Sequence, residues 1–187
     1  MVEGNAPLDS WTSYSLQQLE VPINNAKAAG KFTFLVDKTG NVATFANYKG
    51  HLVDLQGDSL RVLMNQGTWP DVGEKARKGF VNAMRSGDSL YLNVERSNPE
   101  WTSMDQAGTW DTATFFNYAA MLEDANYLPF VKEDENHGVG GLNPGHYCRH
   151  SDFRMTIVTQ NTDQETITAM IEKIPGFWDN FHHAVIE

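Results

Sequence analysis

Phe32-Thr33-Phe34-Leu35-Val36 is an unbroken run of β-forming residues that stops at the turn sequence Asp37-Lys38-Thr39-Gly40. A strand with one wet face alternates apolar and polar residues; a run without a polar break is expected to be covered on both faces. Further strand candidates lie at 52–55, 89–94, 153–159 and 181–186. Helical patterns separate them. Residues 42–49 can start a helix. In 70–86, Val72, Ala76, Phe80, Ala83 and Met84 share one face, Thr68 or Asp71 can cap, Pro70 suits the first turn and Gly87 the end. Gly73 and Gly79 inside that pattern weaken it by about 1 kcal/mol each relative to Ala. Asp111 opens a candidate helix over 111–123, with Phe115, Phe116, Ala119 and Leu122 on one side. The last spans 163–174, aligning Ile167, Met170, Ile171 and Ile174 before Pro175-Gly176. Strands alternating with helices predict an α/β domain with a mostly parallel sheet flanked by helices. Leu35, Val36, Leu92 and Ile157 should lie at its buried centre.

The length, 187 residues, fits one domain. Its core is expected over 23–186, with 1–22 as an N-terminal extension, because Pro22 limits any helix there. A net charge of −10 argues against general nucleic-acid binding, which relies on Lys and Arg at phosphates, and against docking on anionic membranes. No apolar stretch is long enough to span a bilayer. The opening MVEGNAPLDSW lacks the basic and apolar regions of a signal peptide. Cys148 is the single cysteine. Both features lead us to expect a reducing, cytoplasmic setting.

In α/β folds the loop after the first strand is a common ligand site. A phosphate loop there follows G-x-x-x-x-G-K-[ST]. This chain keeps the spacing but places Asp37 at the first glycine, Val42 at the second, Ala43 at the lysine and Thr44 at the hydroxyl. The glycines normally let N–H groups approach phosphate and the lysine neutralises its charge. Similarly, 90–94 is the apolar run expected before a Mg²⁺-holding acid, yet Asn93 is neutral and Glu95 lies two residues on. Nucleotide binding is therefore not expected, nor is any other cofactor.

Taken in order, KFTFLVDKTGNVATFANYKG (31–50), NAMRSGDSLYLNVERSNPEW (82–101) and RHSDFRMTIVTQ (149–160) resemble the large subdomain of a dynein heavy-chain AAA+ module. The likeness is nearest to the fifth module, whose nucleotide site is degenerate, and it spans roughly 11–162. It implies a P-loop-NTPase-like sheet ordered 5-1-4-3-2. The helical lid that would follow Pro175-Gly176 in such a module looks absent. The resemblance implies a non-enzymatic structural or adaptor subunit of a ciliary or flagellar axoneme, with protein or microtubule-associated neighbours. A regulatory domain binding ADP or ATP weakly, without hydrolysis, is the alternative.

Other constellations point elsewhere. His146, Cys148 and His150 alternate and could offer imidazole and thiolate to zinc, with His137 as a fourth ligand; this would make a small metal-binding protein. Cys148 as a nucleophile would need an orienting base. His182-His183 reads as a strand-end pair, and 132–151 as a long turn-rich loop. Glu123-Asp124 and Glu133-Asp134-Glu135 form an acidic surface. Among the five tryptophans, Trp69, Trp101 and Trp110 sit in or beside loops, where Trp is a frequent interface anchor; they are the candidate partner-binding residues.

Overall fold

The computed structural model describes residues 6–187. The first five residues of the expected extension lie outside it. The described chain runs β1 (Ser13–Tyr14), α1 (Glu20–Ala28), β2 (Phe32–Asp37), α2 (Val42–Lys49), β3 (His51–Asp54), α3 (Gln56–Leu63), α4 (Trp69–Ser86) and β4 (Ser89–Glu95). It continues through α5 (Thr112–Phe115), α6 (Asp124–Tyr127), β5 (Arg154–Thr159), α7 (Gln164–Glu172), α8 (Phe177–Asn180) and β6 (Phe181–Ile186).

The six strands form one sheet, ordered β1-β6-β2-β5-β4-β3, and every pairing is parallel. Without β1 this is the expected 5-1-4-3-2 order. The fold is α/β with a P-loop-NTPase-like parallel sheet between helices. Leu35 pairs with Val158, and Leu92 with Ile157. Leu35, Val36, Leu92 and Ile157 are all fully buried. On one face, Phe34, Val36, Leu92 and Ile157 meet Val72, Ala76 and Phe80 of α4 and Ile167 of α7. On the other, Leu35, Tyr91 and Val158 meet Ile23 of α1 and Val42 and Ala46 of α2. The covered faces explain why the strand sequences lack alternation.

The α4 caps form as expected: the Thr68 hydroxyl accepts from Asp71 N–H, and Gly87 takes the left-handed φ of +77°. Gly73 and Gly79 have a tertiary reason. A Cβ at Gly73 would stand 3.0 Å from Met104 and 3.1 Å from the Trp110 Cβ, and one at Gly79 would run into Val53. The helix gives up propensity to lie close against its neighbours.

Three expectations are corrected. From Leu8 onward the supposed extension belongs to the domain. Leu8 and Trp11 are buried, and β1 pairs with β6. Pro22 does not stop α1, because it occupies the first turn, where an N–H has no partner to lose. The helix expected over 111–123 breaks after Phe115. There Tyr118 N–H donates to Asn180 Oδ1 and Ala120 N–H to Asn117 Oδ1, so side chains take the place of helical carbonyls. Helix α3 was not expected at all. Its apolar residues Leu60 and Leu63 do not face the core.

No described helix is long and apolar enough to cross a membrane.

Candidate functional site

The strands' carboxyl ends gather the loop after β2, the end of β4 and the loop after β5. The Asp37 carboxylate, 2% exposed, fills the first of these loops. Its Oδ1 accepts from Thr39 N–H (3.0 Å), Thr39 Oγ1–H (2.6 Å) and Gly40 N–H (3.0 Å). Its Oδ2 accepts from Val42 N–H at 2.9 Å, the first residue of α2. The donors a phosphate would seek are thus satisfied by an anion built into the chain, at a helix N-terminus that favours negative charge. Ala43 supplies no cation and Thr44 is exposed. The nearby Lys38 Nζ turns to Glu187 Oε2 at 3.4 Å.

At the end of β4, Asn93 is buried. Its Nδ2 donates weakly to Glu95 Oε1 at 3.4 Å, and its Oδ1 has no partner. Glu95 adopts φ +45°, and the β4–β5 register shifts between Asn93 and Glu95. The Glu95 carbonyl holds this left-handed backbone by accepting from Thr159 Oγ1–H and Gln160 N–H, both at 2.8 Å. The Glu95 carbonyl therefore ties the end of β4 to the end of β5.

Beside this edge, a cleft of about 340 Å³ lies between α3, the start of α4 and the segment after β4. Half-buried Trp69 lines it. Trp101 and Trp110 are elsewhere, and their assignment as partner anchors is corrected. They are 2% and 1% exposed, with ring centroids 6.4 Å apart, and both pack edge-on against Phe116. Their loops fold inward over the sheet because rings of this size are worth more in a core than in water.

The zinc alternative is also corrected. Among the described residues, no three His, Cys, Asp or Glu side chains meet as a metal site. His150 Nδ1 accepts from Asp152 N–H at 3.1 Å, the His137 ring nitrogen pairs with Gly138 O at 2.8 Å, and Cys148 is exposed. His146, Cys148 and His150 are all exposed, while Tyr147 between them is buried and its hydroxyl donates to Val81 O at 2.8 Å. None of the three imidazoles is held against the Cys148 thiol.

Two polar features escaped the sequence reading. Arg77, on the apolar side of α4, is fully buried. It bonds Glu74, Phe130 O and both Glu135 oxygens, strapping the 132–151 segment to the helix. The second is the burial of His183, which the sequence placed only at a strand end and which lies in β6. Its ring lies 4.4 Å from Trp11 and 5.4 Å from Trp178, and its buried Nδ1 has no partner. Burial, then the neighbouring His182 and Lys31 charges, push its pKa from 6.5 down to about 4. The fold therefore favours neutral His183. Its contribution to stability is complete above about pH 6.5 and is lost as pH falls toward about 4. Halved for partial exposure, the effect is about 1–2 kcal/mol. Urea titrations should show stability falling from pH 7 to pH 5, and a flatter dependence in His183→Phe. An equal slope in that variant would assign the effect to other groups.

Compared with protein-family models, curated proteins and solved structures, the chain has no match.

Proposed function

We propose that the chain is a nucleotide-independent structural or adaptor subunit, built on a P-loop-like core whose phosphate seat is taken by its own carboxylate. The Asp37 carboxylate carries this reading: it engages Thr39, Gly40 and Val42, so a nucleotide would have to displace it against like charge. The dynein-like pattern of the three sequence blocks suggests an axonemal assembly as the setting.

Isothermal titration with Mg-ATP should show no binding tighter than about 100 μM, since the charge-assisted contacts of a phosphate site are missing. A micromolar Kd would overturn the reading. Sizing the native protein from a ciliary extract should place it in a stable complex, whose interface should exceed about 1,000 Å². A monomeric, partner-free native protein would equally end it.

A further inference from the structure

The cleft beside the carboxyl edge is walled by Ser59, Leu60, Leu63, Trp69, Arg96 and Asn98. Leu60, Leu63 and Met64 follow one another at i, i+3 and i+4 along α3 and its C-terminal cap, and are 47%, 71% and 58% exposed. A single exposed leucine is ordinary; a stripe of this spacing beside a half-buried tryptophan is a helix face without a partner.

The charges at the cleft run against those of the chain. Arg96 in its wall and Arg61 on α3 are exposed, and neither side chain has an ion-pair or hydrogen-bond partner among the described residues. Of the adjacent carboxylates, Glu100 pairs with Lys173 and Asp58 with Lys75, each at 2.5 Å, and Asp71, which lines a cavity with Arg61, accepts from the Thr68 hydroxyl at 2.6 Å. A chain of net charge −10 thus leaves two guanidinium groups without an ion pair beside its apolar stripe. Asn98 adds a buried Oδ1 without a donor.

From this juxtaposition we infer that the cleft docks an amphipathic helical segment of a partner protein, with an apolar stripe that packs on Leu60, Leu63 and Trp69 and acidic side chains that reach Arg61 and Arg96. Two helices with apolar residues at i, i+3 and i+4 interdigitate naturally. Charge complementarity selects the partner's sign. A second copy fits worse, because a two-fold contact turns the patch on itself and sets arginines against arginines. The inference rests on reading the chain as a protein-binding subunit and names where and what it binds.

The test is selection of a phage-displayed random peptide library on the full chain, followed by fluorescence anisotropy with the enriched peptide made synthetically. Enriched peptides should repeat apolar residues at i, i+3 or i+4 and carry Asp or Glu beside them. Leu63→Asp should weaken binding by roughly tenfold or more, as expected for an anchor contact. Arg96→Glu should do the same and be rescued by a peptide with Lys in place of its acids. Both side chains are exposed, so unfolding midpoints by circular dichroism should match the parent protein. Peptides without this pattern, or binding indifferent to both substitutions, would overturn the inference. A concentration-dependent dimer in sedimentation, abolished by Leu63→Asp, would overturn it in favour of a second copy. Tight Mg-ATP binding would sink the nucleotide-independent reading and leave the peptide result standing, so the two failures are distinguishable.

Discussion

Trp110→Ala should cost about 3–5 kcal/mol of stability, the range for deleting a large buried aromatic side chain. The indole lies stacked on Phe115, with centroids 4.5 Å apart and planes 9° from parallel, and edge-on to Phe80 at 5.6 Å. Its Nε1–H donates to Thr112 Oγ1 at 2.9 Å. That hydroxyl lies 2.8 Å from Trp101 O and 2.7 Å from Asp105 Oδ1. Truncation opens a cavity between α4 and α5 and also leaves the Thr112 hydroxyl one partner short. Gly73 approaches the Trp110 Cβ so closely that α4 has little room to collapse into the space. Urea denaturation measures the loss. Trp69→Ala, at the half-buried cleft wall, should lose much less, about 1 kcal/mol. Equal losses at the two positions would mean that Trp110 does not belong to the core.

Arg77→Met should also be severe, about 3–5 kcal/mol, because it leaves two carboxylates without their buried counter-ion. The guanidinium bonds Glu74 through Nε–H (2.8 Å) and Nη2–H (2.9 Å), Glu135 through Nη1–H (2.5 Å) and Nη2–H (2.9 Å), and Phe130 O through Nη1–H (2.8 Å). Removing Glu74 and Glu135 together with Arg77, as Gln, should recover much of the loss, since the penalty is the unpaired charge and not the missing attraction. Hydrogen exchange should show 132–151 losing protection in the single variant. The pH dependence has a definite sign. Arg77 hydrogen bonds, aided by Lys132 and against burial, hold the Glu74 pKa down from 4.5 to about 2. At Glu135, burial pushes the carboxyl up, but the Arg77 bonds, the Lys132 N–H and the Arg77 charge together outweigh it and keep it low. Both groups therefore contribute stability that is complete above about pH 4.5 and is lost on further acidification, for Glu74 as pH falls toward about 2. In Arg77→Met that acid-induced loss should shrink, leaving the part that the Lys132 ammonium, 2.7 Å from Glu74 Oε1, sustains at Glu74.

These two residues mark where sequence reading stops. Trp110 stands in a stretch without periodicity, and loop Trp residues are as often anchors as core. Arg77 falls among apolar positions of α4, where a charged residue has no local explanation. Both are decided by partners far along the chain: Glu135 is 58 positions from Arg77. The same holds for Trp11, which belongs to the core only because β1 pairs with β6 at the other end of the sequence.

What the sequence by itself determined is local and periodic. Unbroken apolar runs bounded by turns forced doubly covered strands. The Thr68 cap and Gly87 delimited α4, and Pro175-Gly176 ended the α7 pattern, because such signals act within three or four residues. The Asp37, Val42 and Ala43 replacements identified a loop with poor phosphate chemistry. Tertiary structure alone decided what fills that loop, which tryptophans are buried, and why the His146–Cys148–His150 spacing makes no metal site. It also decided that Leu60, Leu63 and Met64 face outward. Burial and ion pairing depend on which surfaces meet across the sheet, and residue spacing along a strand or helix carries no information about a neighbour reached only by folding.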